Sequence, residues 1–128
     1  MKRAMMVDDD RAILNLGARR LASAGYHVET ATEFDEARCR IETSRPDVLV
    51  VDVRLGNFNG IQLAILARVA RPDIHMVIIS GWDDPVLRRE ADACGAAFVR
   101  KPFDAAQLLE AIGPRIGSFP VARRRATS

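Results

Sequence analysis

The sequence is poor in the residues that form disulfides and soft-metal sites. Its 128 residues include two cysteines, Cys39 and Cys94, and two histidines, His27 and His75. Neither pair has the spacing of a zinc site, so we expect both cysteines to be free thiols packed as small hydrophobic side chains. No apolar run approaches the ~18 residues of a membrane helix, and the N-terminus lacks the apolar stretch of a signal peptide. We therefore expect a cytoplasmic protein with no membrane span.

Lysine is also scarce, because the 19 basic residues include only Lys2 and Lys101. The net charge is +2, but residues 114–128 carry four arginines and no acid, so the first 113 residues carry −2. This distribution predicts one mildly acidic domain over residues 1–116 and a basic, disordered tail over residues 117–128. A solvated tail is the favoured interpretation, and we do not expect it to bind nucleic acid.

Five short apolar runs alternate with segments of helical periodicity. The third and fourth runs are almost continuously aliphatic, as strands buried on both faces of a parallel sheet are. The alternation predicts a (βα)₅ domain, a doubly wound α/β fold with helices on both faces of a five-stranded parallel sheet. The predicted strands are residues 4–7, 27–31, 48–51, 75–80 and 96–100.

The helix boundaries are indicated by residues typical of helix ends. Gly25 and Gly95 follow the first and fourth helical segments as C-terminal stops. Thr32 and Asp104 are candidate N-caps of the second and fifth helices, and Asp10 is a candidate N-terminal residue of the first.

Polar residues follow four of the predicted strands. Asp8 and Asp9 follow the first strand, Asp52 the third, Ser80 ends the fourth, and Lys101 follows the fifth. Ligands of open α/β sheets bind outside the carboxyl ends of the strands, so we expect these side chains to meet at one edge.

This set of residues has a consistent chemistry. Crowded carboxylates need a proton or a cation, and oxygen ligands without sulfur or clustered histidine favour a hard ion such as Mg²⁺. An ammonium and a hydroxyl are suited to phosphoryl oxygens. A carboxylate at the end of the central strand can then act as a nucleophile toward phosphorus and form an aspartyl phosphate.

Together, these residues resemble the receiver domain of bacterial two-component response regulators. The matching elements are "VDDD" after the first strand, "VVD" with Gly60 eight residues beyond its aspartate, "VIIS" followed by glycine, and "FVRKPFD". The resemblance covers residues 3 to about 116 and implies the flavodoxin-like strand order 2-1-3-4-5, which periodicity alone does not fix. Because no output domain follows in the sequence, the chain resembles a single-domain regulator.

The resemblance implies roles for the acidic residues. Asp52 resembles the phosphoacceptor, and Asp8 and Asp9 resemble the acidic pair that holds Mg²⁺ with Asp52. The backbone carbonyl of Arg54 is then expected to be a further ligand of the metal. The family often has proline four residues after the phosphoacceptor, where this sequence has Gly56, so we expect a looser loop here.

The resemblance also implies roles for the remaining residues. Ser80 resembles the hydroxyl residue that contacts the phosphoryl group, Lys101 the lysine that neutralises it, and Phe98 the aromatic switch residue. We further hypothesise that Arg54 and Trp82 limit the access of water to the acyl phosphate. Alternatively, Phe98 is a core aromatic residue that never changes position.

The partners implied by the resemblance are a histidine kinase or phosphotransfer protein as donor and a downstream protein as target. The target would bind the face made by the fourth helix, fifth strand and fifth helix, around residues 86–93 and 98–112. Several family members pair through that face, so a homodimer is one expectation. The domain would catalyse only its own phosphorylation and dephosphorylation.

Two other functions remain open at this stage. A Mg²⁺-dependent aspartyl-phosphate phosphohydrolase would need an acid two residues after Asp52, where the sequence has Arg54. An interaction module that works without phosphorylation would not need the complete set of site residues. The non-functional interpretation of the acids is that they cap helices or form turns.

Overall fold

The computed structural model describes residues 2–113, which form a five-stranded sheet, a small hairpin and five helices. The predicted domain end at residue 116 and the predicted tail lie outside the described residues. The strands are β1 (Arg3–Val7), β2 (His27–Ala31), β3 (Val48–Asp52), β4 (Arg54–Leu55), β5 (Phe58–Asn59), β6 (His75–Ser80) and β7 (Ala97–Arg100). The helices are α1 (Arg11–Ser23), α2 (Phe34–Ser44), α3 (Gly60–Ala70), α4 (Pro85–Ala93) and α5 (Ala105–Ile112).

The main sheet is parallel and has the order β2-β1-β3-β6-β7. The predicted fourth and fifth strands are β6 and β7, so the predicted order 2-1-3-4-5 is confirmed. Strands β4 and β5 pair antiparallel with each other outside this sheet. They are the one pair of strands in residues 2–113 that the sequence did not predict.

The sheet separates two apolar cores. Side chains alternate along each strand, so Leu49 and Val51 of β3 pack in the cluster with α2, α3 and α4, whereas Val48 and Val50 pack in the cluster with α1 and α5. Every residue of β3 is buried, which explains its continuous apolar sequence. Within residues 2–113, every helix is too short or too polar to cross a membrane.

The helix ends agree with most of the predicted caps. Asp10 caps α1 by accepting hydrogen bonds from the backbone amides of Ala12 and Ile13. Asp104 forms a reciprocal capping box with Gln107 at the start of α5.

Two predictions about individual side chains are wrong. Helix α2 begins one residue later than expected, so Glu33 rather than Thr32 occupies the N-cap position, and its side chain makes no capping hydrogen bond. Cys39 is exposed on α2, although Cys94 is half-buried against the core as expected, and both are free thiols. Residue type alone does not show whether a cysteine on a short helix faces the solvent or the core.

Candidate functional site

Three carboxylates lie together at the carboxyl edge of the sheet. Asp8 follows β1 and is fully buried, Asp52 ends β3 and is 6% exposed, and Asp9 is exposed at the rim. One oxygen of each carboxylate lies within 4.8 Å of the others. The central position of β1 and β3 in the sheet therefore brings together the acidic residues that the sequence predicted to meet.

Lys101 is the cation at the centre of this cluster. Its Nζ lies 3.1 Å from Oδ2 of Asp8 and 3.1 Å from Oδ2 of Asp52. It donates a hydrogen bond to Asp52, whereas its contact with Asp8 is an ion pair without hydrogen-bond alignment. Lys101 immediately follows β7, so its long side chain crosses the edge of the sheet past β6 to reach β3. One ammonium thus faces two buried carboxylates.

The electrostatics of the cluster follow from burial and crowding. Burial raises the pKa of Asp52 from 3.8 to about 6, the charge of Asp8 adds to this effect, and Lys101 only partly offsets it. Burial alone would lower the pKa of Lys101, but its contacts with Asp8 and Asp52 outweigh burial and raise that pKa. The pKa of Asp52 is raised chiefly because its carboxylate is buried and lies beside the charge of Asp8.

The donor set fits a hard divalent cation. Oδ2 of Asp8 is buried and makes no hydrogen bond to any residue of the described chain. Asp8 also accepts a hydrogen bond from the Asp10 amide at 2.9 Å, which fixes the orientation of its carboxylate. Carboxylate oxygens at this spacing match the preferences of Mg²⁺ or Ca²⁺ rather than those of a soft metal. The acidic cluster could therefore bind a metal ion.

The segment after Asp52, for which the sequence analysis expected only a loop, forms a short hairpin. Leu55 of β4 pairs with Phe58 of β5, and Gly56 and Asn57 form the two-residue turn. Gly56 has a φ of +58°, which a proline, with φ fixed near −65°, could not adopt. The "LGNF" sequence contains a turn signal, but two-residue strands are too short to show periodicity.

Two backbone contacts connect the hairpin to the acidic residues. The Arg54 amide donates to Oδ1 of Asp52 at 3.3 Å, and the Gly56 amide donates to Oδ2 of Asp9 at 3.2 Å. Gly60 closes the other end of this segment, where a Cβ atom would collide with the carbonyl oxygen of Asp52. Gly60 is therefore required for the close approach of α3 to the end of β3, a role that the sequence analysis did not assign.

Ser80 is buried beside the cluster but is turned toward the β6–α4 loop. Its hydroxyl donates to the carbonyl of Trp82 at 3.1 Å and accepts from the Trp82 amide at 3.0 Å. The structure places Ser80 at the predicted edge of the sheet, with its hydroxyl bonded to this loop rather than to Asp52 or Lys101.

Arg54 and Trp82 lie in contact at the mouth of the site. The guanidinium carbon of Arg54 lies 5.0 Å from the centroid of the Trp82 ring, which is a cation–π contact. Both residues line an open cavity of about 790 Å³ between the hairpin and the start of α4. The two residues predicted to shield the site are therefore adjacent, although Trp82 is 55% exposed.

Phe98 of β7 is half-buried and packs at the edge of the core. The guanidinium of Arg88 from α4 lies 4.6 Å from the centroid of its ring. Arg88 also hydrogen bonds through Nε to Oδ1 of Asp83 at 2.7 Å. The sequence identified Phe98 but not Arg88 or Asp83. In an exposed segment with many charged residues, no sequence pattern indicates which arginine contacts an aromatic ring.

Comparison with known proteins agrees with this geometry. The family model of the response regulator receiver domain matches residues 4–113. The acid tolerance regulatory protein ActR of Sinorhizobium medicae (strain WSM419) is 32% identical over 117 residues, which are 91% of this chain and 60% of that protein.

Two solved structures have similar folds. A CheY-like response regulator receiver domain protein from Methanospirillum hungatei JF-1 is 31% identical, with a TM-score of 0.80 over 86% of this chain and 89% of that chain. The beryllofluoride-activated NtrC4 receiver domain dimer is 30% identical, with a TM-score of 0.80 over 88% of this chain and 93% of that chain.

The chain spans between about half and two thirds of the length of the curated relatives it matches. The match to the family model nevertheless covers every residue of the site and all of the sheet except Arg3. The chain belongs to the response regulator receiver domain family, whose members are regulatory signalling modules of two-component systems.

Proposed function

We propose that this domain is a phosphoacceptor in which Asp52 receives a phosphoryl group in a Mg²⁺-dependent reaction. The donor would be the phosphohistidine of a histidine kinase or of a phosphotransfer protein. The observation that carries the proposal is the position of Lys101, whose Nζ lies 3.1 Å from both Asp8 and Asp52. That arrangement leaves Asp52 beside a cation suited to phosphoryl oxygens and beside acids suited to a divalent metal.

The proposed step transfers one phosphoryl group. An ionised oxygen of Asp52 attacks phosphorus, the phosphorus–nitrogen bond of the donor breaks, and its electron pair returns to the imidazole. The product on this chain is an acyl phosphate. Because the pKa of Asp52 is about 6, its carboxylate is mostly ionised at neutral pH even before a metal binds.

The other residues would position the reacting groups. Asp8, Asp9 and Asp52, with the backbone carbonyl of Arg54, would hold Mg²⁺. The metal would supply positive charge to the carboxylates and to the phosphoryl oxygens. Lys101 would move from a contact shared between two carboxylates to one with the phosphoryl group.

The acyl phosphate would shift the domain between two conformations. Ser80 would contact the phosphoryl group by giving up its hydrogen bonds to Trp82, which would release the β6–α4 loop. Phe98 would act as the aromatic switch residue by turning inward and leaving Arg88. Such a change is a population shift biased by a local charge.

The shift would change the surface formed by α4, β7 and α5, and so the affinity for a downstream protein. The similarity to a receiver domain dimer supports a homodimer as one state of the activated chain. We place the exchange in the cytoplasm, where free thiols such as Cys39 persist.

Arg54 and Trp82 would shield the acyl phosphate from water. Their contact at the mouth of the site supports this role. The same geometry does not favour the phosphohydrolase alternative, because Arg54 cannot protonate a leaving group.

The test is incubation with acetyl phosphate and Mg²⁺, followed by intact mass spectrometry. Wild type should gain one phosphate only when Mg²⁺ is present, and Asp52→Asn should gain none. Asp47→Asn is the matched control, because Asp47 is a carboxylate at the opposite edge of the same sheet. Phosphorylation of Asp52→Asn at the wild-type level would contradict the assignment of Asp52.

A further inference from the structure

We propose that Phe34 and Phe58 form an aromatic staple that holds the β4–β5 hairpin in the position required for Mg²⁺ binding. The two rings stack with their centroids 4.6 Å apart and their planes 20° from parallel. Phe58 is thus a positioning residue that acts through the backbone of Arg54. The inference rests on the proposed function, in which the Arg54 carbonyl is a ligand of the metal.

The hairpin needs support from outside itself. Each of its strands has two residues, and an isolated two-stranded hairpin is at best marginally stable in water. Its turn contains Gly56, which has much conformational freedom to lose. Gly56, Asn57 and Phe58 line open cavities on both sides, of about 790 Å³ and 450 Å³. The turn therefore has little protein packed around it.

The contacts that hold the hairpin divide between its two strands. In β4, Leu55 is buried in the core. In β5, Asn59 caps α3 by accepting from the Ile61 amide at 2.8 Å, and Phe58 reaches across to Phe34. Phe34 itself packs against the core cluster, so the stack connects the half-exposed β5 side chain to a fixed point on α2.

Strand pairing connects Phe58 to the proposed metal site. Phe58 pairs with Leu55, and Asn59 pairs with Arg54. A displacement of β5 therefore displaces the backbone that contains the Arg54 carbonyl. It also displaces the amides of Arg54 and Gly56, which donate to Asp52 and Asp9. Groups that orient metal ligands in this way typically change metal affinity when they are removed.

The stack also reaches a helix end that lacks a side-chain cap. Phe34 is the first residue of α2, and the preceding Glu33 makes no capping hydrogen bond. Core packing of Phe34 holds this helix end in place of a cap, so the pair of rings should chiefly reduce the mobility of the hairpin.

The test compares Mg²⁺ affinity, measured by titration calorimetry, with thermal unfolding in EDTA. Phe58→Ala should weaken Mg²⁺ binding about ten-fold while the unfolding midpoint changes little, because Phe58 is 50% exposed. Phe58→Tyr keeps the ring and should bind like wild type. Ile65→Ala is the control, since Ile65 is 51% exposed on α3 and should change neither quantity.

A second readout needs no metal. In EDTA, Phe58→Ala should increase hydrogen exchange at the Gly56 amide. Phe34→Ala should reproduce the loss of Mg²⁺ affinity, and the double variant should lose no more than either single variant. If the double variant lost as much Mg²⁺ affinity as the two single variants combined, the staple would be overturned, because Phe58 would then act without Phe34.

Failure of the staple can be distinguished from failure of the proposed function. If wild type binds Mg²⁺ and Phe58→Ala binds it with the same affinity, the staple is wrong and the metal site stands. If wild type binds no Mg²⁺, the proposed metal site fails and the staple's role fails with it.

Discussion

At the amino edge of the sheet Arg71 faces Asp47 across 2.6 Å, and at the carboxyl edge Lys101 faces Asp52 across 3.1 Å. The amino-edge pair is partly open to water, since the side chains of Arg71 and Asp47 are 33% and 19% exposed. Asp47 also accepts a hydrogen bond from the Arg3 amide at 2.7 Å. Arg71 contacts one further acid, Asp73, which water already solvates.

The carboxyl-edge pair has less access to water, although Asp52 also accepts a backbone hydrogen bond, from the Arg54 amide. Asp8 and Asp52 are almost entirely buried, and both depend on the same ammonium. The spaces next to the two edges also differ, because the amino edge has a cavity of only about 20 Å³, whereas those around the hairpin are about 790 Å³ and 450 Å³. One edge is an ion pair that needs no further cation, and the other is an unbalanced site in which two buried carboxylates share one ammonium.

The largest difference between the edges should appear when each cation is removed. Lys101→Ala leaves two buried carboxylates without a partner, so we expect it to reduce the free energy of unfolding by about 3–5 kcal/mol in EDTA at pH 7.5. Arg71→Ala removes a partly solvated pair and should cost about 1 kcal/mol. Urea unfolding of both variants measures the two losses of unfolding free energy. Equal losses would contradict the proposed difference between the two edges.

A smaller, opposite effect is expected from Asp52→Asn in EDTA. Because the folded state raises the pKa of Asp52 from 3.8 to about 6, the folded state binds a proton that the unfolded state releases between these pH values. The contribution of Asp52 to stability is therefore most favourable below pH 3.8 and is lost as the pH rises, so its full cost is present above pH 6. Neutral Asn avoids this cost, so Asp52→Asn should be more stable than wild type by up to about 3 kcal/mol at pH 7.5.

The check on that prediction is its dependence on pH. The gain should shrink toward zero as the pH is lowered to 4, and Asp47→Asn, at the balanced edge, should show no gain at pH 7.5. A constant gain for Asp52→Asn at every pH would assign the effect to packing rather than to charge.

The smallest expected effect concerns access of water to the open edge. Trp82→Ala should increase hydrolysis of the proposed acyl phosphate roughly five-fold, which corresponds to ~1 kcal/mol in the barrier. Arg54→Ala should act in the same direction because the two side chains are in contact. Loss of phosphate is followed by intact mass after removal of the donor. Val86→Ala, a similarly exposed residue of α4, is the control, and an unchanged rate for Trp82→Ala would exclude shielding by Trp82.

The sequence predicted the main sheet most clearly at its central strands, which are buried on both faces. The aliphatic runs of β3 and β6 contain no polar residue, so they cannot be mistaken for loops. Because the strands are parallel, the residue after each run lies at the carboxyl edge of the sheet. Strand order required the family resemblance, since periodicity carries no information about which strands are neighbours.

The parts that were missed depend on contacts between distant residues. The β4–β5 hairpin has strands too short for a period-two pattern, and its position depends on Phe34 and Asp9, which are far away in sequence. Likewise, the hydroxyl of Ser80 was predicted at the correct edge, but its hydrogen bonds to Trp82 depend on the conformation of a loop. Residue types indicated what could meet at the site, and only the fold determines which atoms touch.

The most direct test of the unbalanced edge is the effect of Mg²⁺ on the free energy of unfolding. Wild type should be stabilised in a saturable way, by about 2.7 kcal/mol when Mg²⁺ reaches a hundred times its dissociation constant. Asp47→Asn should gain the same amount, and Asp52→Asn should gain much less. Equal stabilisation of wild type and Asp52→Asn, or no stabilisation of wild type, would contradict a metal site at the carboxyl edge.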